Sequence, residues 1–256
     1  MMTPRAVPAY GLDDIKFGAD GGTWERAVGL YERGAVKEFS GDAFGFSAVV
    51  EGGDRYHVYV SARSYDRGNC DCYLGKQEIL CKHMVALGIR AVTGGKPISE
   101  KDKQFVSEPV SSGRSGTLTK PELAAAKGAI TAAIRCIKSY DGPSRIWFAY
   151  QSSLQEGCNR LSAIIADFPV SQQTATLIVG ILLRLEDRVS QGGVDDSDGT
   201  VGDFMQGAVA VLEAYAKLDP DCIEAFRTLA GRETSFGWEE PLLVYLHNSP
   251  VERKVS

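Results

Sequence analysis

Two short motifs constrain this chain more than any other feature: Cys70-Asp71-Cys72 and Cys81-Lys82-His83. Together they span fourteen positions and hold three of the six cysteines and one of the three histidines. Three thiolates and one imidazole make a complete tetrahedral ligand set for a structural Zn²⁺ ion. The spacing therefore predicts a single structural zinc site, against the alternative of scattered buried thiols and a surface histidine.

Composition predicts an ordinary globular protein. Of the 256 residues, 44% are hydrophobic and 24% are charged, and the length suits one large domain or two modest ones. No run approaches 18 consecutive apolar residues, so neither a transmembrane helix nor a membrane partner is expected. The first residues lack the apolar core of a signal peptide, and six cysteines in so long a chain do not make a disulfide framework. A cytoplasmic location is expected.

Charge is distributed unevenly along the chain, whose formal net charge is −5. Residues 55–105 carry nine Lys/Arg against five Asp/Glu, whereas residues 186–256 carry six Lys/Arg against fourteen Asp/Glu. A local basic excess permits contact with phosphates or with an acidic partner, although a solvated surface of mixed charge has the same composition. Four basic residues near the cysteines are the candidates for nucleic-acid contacts: Arg63, Arg67, Lys76 and Lys82.

Hydrophobic patterning predicts an antiparallel sheet directly before the cysteines. Strand-like runs occupy 36–39, 43–50 and 55–61, with a hairpin signal at Gly-Gly-Asp between the last two, and an amphipathic helix over 23–33 precedes them. After Cys81 an apolar helical pattern continues to Gly94. We therefore expect Cys81 and His83 at a helix N-terminus, where the helix dipole and free N–H groups stabilise a thiolate.

The second half of the sequence is predicted to be almost entirely helical. Residues 98–119 are polar and rich in Ser and Gly, as in a linker, and Thr119 with Glu122 forms a capping box at the start of a helix. The expected fold is α+β: a zinc-binding module with a small antiparallel sheet over 1–97, a linker over 98–119 and an all-α domain over 120–256. Helices in hairpin order favour a bundle or a short helical-repeat stack for that domain.

The layout of a strand hairpin, Cys-x-Cys, a short insert and Cys-x-His opening a helix resembles the SWIM zinc finger. The resemblance covers residues 22–95, and its implied ligands are Cys70, Cys72, Cys81 and His83. SWIM modules are thought to contact DNA or other proteins, so the resemblance implies binding rather than catalysis. The chain also resembles compact bacterial SWIM proteins with a helical C-terminal domain. It carries no Gly-x-x-x-x-Gly-Lys-Ser/Thr phosphate loop, so no motor function is expected.

Two other chemistries use a similar ligand set. Three cysteines and one histidine hold a [2Fe–2S] cluster in CDGSH-type proteins, but those place three residues and a Gly-rich turn between the last Cys and the His. A catalytic zinc keeps an open coordination position and a nearby base. Four ligands at close spacing leave no such position, and Asp71 and Glu78 are expected to be surface residues or acceptors of hydrogen bonds from the ligands. We therefore expect one structural zinc.

Other candidate sites have simpler interpretations. The acidic loop 192–203 contains a fragment of a calcium-binding pattern, but an acidic loop with Asp203 as a helix cap is favoured over a calcium or partner-recognition site. Aromatic clusters at 147–150 and 236–240 are interpreted as core packing rather than a ligand groove. Cys136, Cys158 and Cys222 are expected to be buried free thiols. His57 is placed on a strand, and His247 has no apparent partner in the sequence.

The leading hypothesis is a non-enzymatic protein-interaction protein. In it, a zinc-stabilised module holds one surface rigid while the helical domain recruits another protein. The second hypothesis is a nucleic-acid-binding accessory protein that uses the basic surface around the zinc. A hydrolase or redox enzyme acting from the helical half is the third and weakest alternative.

Overall fold

The computed structural model describes residues 7–142 and 147–248, and it has the expected α+β fold. The chain divides into two compact units, one ending at Phe105 and the other beginning at Val106. The sheet lies in the first unit, and the second is helical. The proposed division of the sequence into 1–97, 98–119 and 120–256 remains a prediction.

Two helices and a four-stranded sheet begin the first unit. Helices α1 (Leu12–Gly18) and α2 (Gly21–Glu32) precede β1 (Val36–Gly41), β2 (Gly45–Glu51), β3 (Arg55–Ser61) and β4 (Gly68–Cys70). The strands form an antiparallel meander in the order β1-β2-β3-β4. On β3, Val58 and Val60 are buried whereas His57 is exposed, because alternate side chains of a strand point to opposite faces.

Helix α3 (Lys82–Thr93) completes this unit. It packs against α1, α2 and the sheet, and it ends at Gly94, whose φ of +63° is the left-handed conformation common after a helix. The short helix α4 (Glu100–Lys103) follows. Apolar side chains from helices and strands share one core, which includes Ile15, Trp24, Leu30, Val50, Val58, Val60, Leu87 and Ile89.

The second unit consists of α5 (Lys120–Cys136), α6 (Trp147–Asp167), α7 (Gln172–Ser190), α8 (Thr200–Leu218), a 3₁₀ helix (Pro220–Leu229) and α9 (Glu240–Asn248). All of them contribute to one contiguous apolar core. Helix α5 begins with the expected capping box, in which Thr119 and Glu122 satisfy each other's backbone N–H groups.

The segment before α5 is ordered on each side of the unit boundary. Ile98 is buried in the core of the first unit. The Ser112 hydroxyl donates to the carbonyl oxygen of Phe168 at 2.6 Å, and the Val170 N–H donates to the carbonyl oxygen of Arg114 at 2.6 Å. This polar segment is therefore held to the backbone just after α6 by the Ser112 side chain and by its own main chain.

Candidate metal centre

The first pair of candidate ligands lies where the sheet ends. Cys70 is the last residue of β4 and pairs with Val58 of β3, which turns its side chain toward the core. Cys72 follows two positions later in a turn and is also buried. Strand pairing thus fixes the backbone position of Cys70, and the turn brings Cys72 back to the same side.

The insert between the two motifs is a compact turn, which we call the knuckle (residues 72–79). The N–H of Lys76 donates to the Cys72 carbonyl oxygen at 3.0 Å, and the N–H of Ile79 donates to the Leu74 carbonyl oxygen at 3.1 Å. The N–H of Gly75 donates to Cys72 Sγ at 3.3 Å. Such bonds orient a ligand and stabilise negative charge on its sulfur.

The second pair opens helix α3. Cys81 is the N-cap residue, and His83 is at the second helical position. The first turn of a helix has N–H groups without intrahelical partners, and their partial positive charge favours a thiolate at the N-cap position of Cys81. This arrangement confirms the expected position of these two residues at a helix N-terminus.

The four side chains converge on one point. Their candidate ligand atoms all lie within 4.8 Å of one another, and all four residues are buried. His83 Nδ1 is 3.6 Å from Cys70 Sγ and 3.9 Å from Cys81 Sγ. In a tetrahedron with Zn–S bonds of about 2.3 Å, neighbouring sulfurs are about 3.8 Å apart and a nitrogen lies slightly closer. The cluster could therefore hold one metal ion, in a geometry compatible with a zinc finger.

Mutual hydrogen bonding prepares the sulfurs for metal binding. A hydrogen bond from the Cys70 thiol lowers the pKa of Cys81 to about 4 against the opposing effect of burial, with His83 and the Met84 N–H assisting. The same bond, together with burial, raises the pKa of Cys70. Both shifts favour a thiolate at Cys81, and the thiolate is the form that binds metals.

Packing orients the imidazole of His83. Its ring stacks on Tyr56 with centroids 4.4 Å apart and planes at 25°. Nδ1 faces the sulfurs, while Nε2 is buried with no hydrogen-bond partner in the described part of the chain. The ring position therefore depends on Tyr56 and on the α3 backbone rather than on a second hydrogen bond.

Gly75 permits the knuckle to close on the first ligand. A Cβ atom at this position would lie 2.3 Å from the carbonyl oxygen of Cys70, which belongs to the backbone of β4 and cannot move freely. Any side chain at residue 75 therefore pushes the knuckle away from Cys70 and lengthens the bond from its N–H to Cys72. Gly75 is not among the residues predicted from the sequence, although a glycine three positions after a Cys-x-Cys motif is the signal that could have identified it.

We expect Gly75→Ala to weaken zinc affinity by about 10- to 100-fold, the usual cost of disturbing groups that orient metal ligands. Competition with a chromogenic chelator measures this directly. Gly29→Ala is the matched control, because a Cβ there meets no atom within 4 Å and Gly29 lies on α2. Equal affinities for the two variants would contradict this role for Gly75.

The four basic residues predicted to contact nucleic acid lie in two parts of the first unit. Lys76 lies on the knuckle and Lys82 in the first turn of α3, both close in sequence to ligands. Arg63 and Arg67 flank the turn between β3 and β4, where the N–H of Ser61 donates to the Arg67 carbonyl oxygen. Arg67 is three positions before Cys70, about 10 Å along an extended chain. Their role in binding nucleic acid remains a prediction.

The acidic neighbours of the motifs face away from the ligands. The Asp71 carboxylate accepts from the His57 N–H at 3.1 Å and contacts His57 Nδ1 at 3.0 Å, and both residues are exposed. This hydrogen bond from His57 lowers the pKa of Asp71 against a smaller opposing effect of burial. Glu78 is exposed on the knuckle. The surface role expected for Asp71 and Glu78 thus agrees with their positions, and His57 lies on β3 as expected.

Carboxylates of the acidic loop accept hydrogen bonds from backbone N–H groups in the first turn of α8. The Asp196 carboxylate accepts from the N–H groups of Val201 and Gly202 at 2.7 and 2.8 Å. The Asp198 carboxylate accepts from the Thr200 N–H at 3.1 Å. Asp203 was expected to cap this helix, but the helix begins at Thr200, so Asp203 lies inside its first turn. The loop therefore caps α8 through Asp196 and Asp198.

We expect Asp196→Ala to destabilise the second unit by about 1 kcal/mol, the typical cost of losing an N-terminal cap. Thermal unfolding of the intact chain should move down by about 4 °C. Asp203→Ala removes an exposed carboxylate from the same turn without removing a cap, so its shift should be smaller. The reverse order of the two shifts would restore Asp203 as the cap.

The aromatic clusters, the three cysteines outside the motifs and His247 differ in how deeply they are buried. Tyr150 and Trp238 are buried in the core, as expected, whereas Phe236 is exposed, and the side chains of Trp147 and Phe148 lie outside the described residues. Cys158 and Cys222 are buried, but Cys136 is partly exposed because it lies in the last turn of α5. His247 is exposed on α9.

Among the described residues, the cluster of Cys70, Cys72, Cys81 and His83 is the one group of three or more Cys, His, Asp or Glu side chains placed to share a metal ion. No helix within 7–142 or 147–248 combines the length and apolarity needed to span a membrane. Compared with known proteins, the chain matches no family model, no curated protein and no solved structure.

Proposed function

We propose that this protein is a SWIM-type zinc-binding protein with one structural Zn²⁺ held by Cys70, Cys72, Cys81 and His83. The convergence of four buried donor atoms within 4.8 Å carries this proposal. Three sulfurs and one imidazole nitrogen suit Zn²⁺, which prefers such donors in a tetrahedron. Bound there, zinc would supply a cross-link between the end of β4 and the start of α3. The SWIM assignment is supported by the order of hairpin, Cys-x-Cys, knuckle and Cys-x-His.

The proposed role of the metal is structural rather than catalytic. Four protein donors fill a tetrahedral zinc, and a catalytic zinc keeps a position for water or substrate. The nearby carboxylates of Asp71 and Glu78 are exposed and belong to the surface. We therefore propose that the protein is not an enzyme. The thiols that would bind zinc need a reducing compartment, which supports a cytoplasmic location.

The proposed function is to bind another protein. Three large apolar side chains, Tyr73, Leu74 and Ile79, are exposed on the knuckle, and Tyr73 retains 77% of its accessible surface. Backbone hydrogen bonds hold the knuckle in shape, so these side chains are presented without the entropy cost of ordering a loop. Exposed apolar groups on a rigid support are typical of contact surfaces. The helical unit would provide a second contact.

Metal content and partner binding test the proposal together. Inductively coupled plasma mass spectrometry of the purified protein should give one zinc per chain, and the protein should lack the colour of an iron–sulfur cluster. Cross-linking of the tagged intact chain in cells should recover a partner peptide attached near the knuckle, and Tyr73→Ser with Ile79→Ser should lose it. A full complement of zinc without any cross-linked protein partner would refute the interaction role, and iron in place of zinc would refute the metal assignment.

Nucleic-acid binding is the second candidate function. Tyr73 offers an exposed ring on which a base could stack, and Lys76 lies three positions away on the same knuckle. Stacking on aromatic rings combined with basic residues is the usual mode of single-strand binding. Anisotropy of a labelled oligonucleotide at rising salt distinguishes this function, because engaged phosphates give a steep loss of affinity. Absence of binding at low salt would eliminate it.

A further inference from the structure

A shallow apolar groove lies between α5 and α7 in the helical unit. Its volume is about 300 Å³, and it is lined by Lys127, Ile130, Leu177, Gly180, Ile181 and Arg184. Ile130 and Ile181 are buried and form the floor, while Leu177 is partly exposed. On α7 the lining extends from Thr176 to Arg184, about 12 Å along the helix axis. The groove is thus as long as two turns of a helix.

The groove is open because α7 carries a glycine at its centre. A Cβ atom at Gly180 would meet no atom within 4 Å, so the space above this residue is unfilled. Glycine in a helix interior costs about 1 kcal/mol relative to alanine. Here no close neighbour requires that glycine, and what it provides is room beside Leu177 and Ile181.

Two unpaired cations border the apolar floor. Lys127 on α5 and Arg184 on α7 are exposed, and neither forms an ion pair or hydrogen bond within the described residues. These two residues are basic, whereas the rest of the chain from residue 186 to 256 carries fourteen Asp/Glu against six Lys/Arg. A pair of free cations flanking an apolar strip complements a ligand with carboxylates beside apolar side chains.

We infer that this groove binds an acidic amphipathic segment of a partner protein, about two helical turns long, with its apolar side chains over Gly180 and its carboxylates at Lys127 and Arg184. A helix with one apolar stripe lying in such a groove is a common mode of peptide recognition. The inference rests on the proposed function, since it specifies the surface through which the helical unit recruits a protein.

A random dodecapeptide library displayed on phage, selected against the intact zinc-loaded protein, tests the inference. We expect enriched peptides to carry two or more apolar residues at a spacing of three or four, flanked by Asp or Glu. Anisotropy with one labelled selected peptide then measures affinity. Gly180→Leu should weaken binding at least tenfold, because the new side chain fills the groove, whereas Gly128→Leu should not. Gly128 is the matched control, since it lies on α5 and its Cβ would also meet no atom within 4 Å.

Reversal of the rim charges provides the second arm. Lys127→Glu with Arg184→Glu should weaken the same peptide at least tenfold and, in a repeated selection, enrich peptides with Lys or Arg instead. Failure to enrich any acidic amphipathic peptide would overturn the inference, as would equal affinity of the Gly180→Leu and Gly128→Leu proteins. Zinc content measured on the same samples separates the outcomes. If the groove binds no such peptide but the protein holds one zinc per chain and a partner is cross-linked at the knuckle, the inference is wrong and the proposed function is still supported.

Discussion

Replacing Cys81 with serine is expected to abolish zinc binding and unfold much of the first unit. Cys81 lies at the junction of the knuckle and α3, and its sulfur is the one whose pKa is lowered to about 4. Structural zinc sites contribute about 10–16 kcal/mol of apparent binding free energy. A domain of this size is stable by only about 5–15 kcal/mol. Loss of the metal is therefore comparable with the whole stability of the unit.

Amide hydrogen exchange of the intact chain measures this effect in each unit separately. Peptides from 12–105 should lose protection in the Cys81→Ser protein and in wild type treated with a strong chelator, whereas peptides from 106–248 should keep it. Cys136→Ser is the matched control, because this partly exposed thiol lies in the helical unit. A chelated protein with full protection over 36–93 would contradict a structural role for the metal.

Trp24→Ala should be the most destabilising single change outside the metal centre. The indole of Trp24 is fully buried on α2, and its Nε1–H donates to the Lys103 carbonyl oxygen at 3.0 Å. Truncation leaves a large cavity and an unpaired carbonyl, with an expected cost of about 3–5 kcal/mol. Because α2 packs on α3, which carries Cys81 and His83, zinc affinity should fall as well.

Chemical denaturation of the intact chain, followed by circular dichroism with and without added zinc, measures that cost. Trp24→Phe keeps most of the volume but not the hydrogen bond, so it should lose less stability than Trp24→Ala. Tyr73→Ala removes an exposed aromatic of the same unit and should change stability by less than about 0.5 kcal/mol. Similar losses for Trp24→Ala and Tyr73→Ala would mean that the α2 interface contributes little.

The sheet was largely predictable because its three longer strands are rich in β-branched and aromatic residues and are bounded by turn signals, although only β3 alternates in polarity. Strand β2 begins at Gly45 rather than at 43, since the Asp42 carboxylate accepts from the N–H groups of Phe44 and Gly45 and closes a turn there. Strand β4 was missed because Gly68-Asn69-Cys70 is too short to show a period. Only pairing with β3 makes it a strand.

The ligand set was predictable from spacing, but its surroundings were not. Tyr56 precedes the first motif by fourteen residues and reaches His83 only because β3 and α3 pack together. The groove over Gly180 depends on how α5 and α7 approach each other, which local periodicity does not determine. The sequence pattern predicts an α-helix over 220–231, with Asp219 as its N-cap and Pro220 at its first position. Asp219 does cap a helix here, but Pro220–Leu229 is a 3₁₀ helix. Helical patterning alone does not distinguish the two.

The short separation of the ligands has a consequence for the unfolded chain. Cys70 and His83 are thirteen residues apart, and within each of the two motifs the ligands are separated by a single residue. Closing so small a loop costs little chain entropy. The denatured protein should therefore retain measurable zinc affinity, and a ligand that binds both states stabilises the fold by less than its affinity for the native state. Zinc would then be bound to the newly synthesised chain before the Trp24 indole forms its hydrogen bond to the Lys103 carbonyl oxygen.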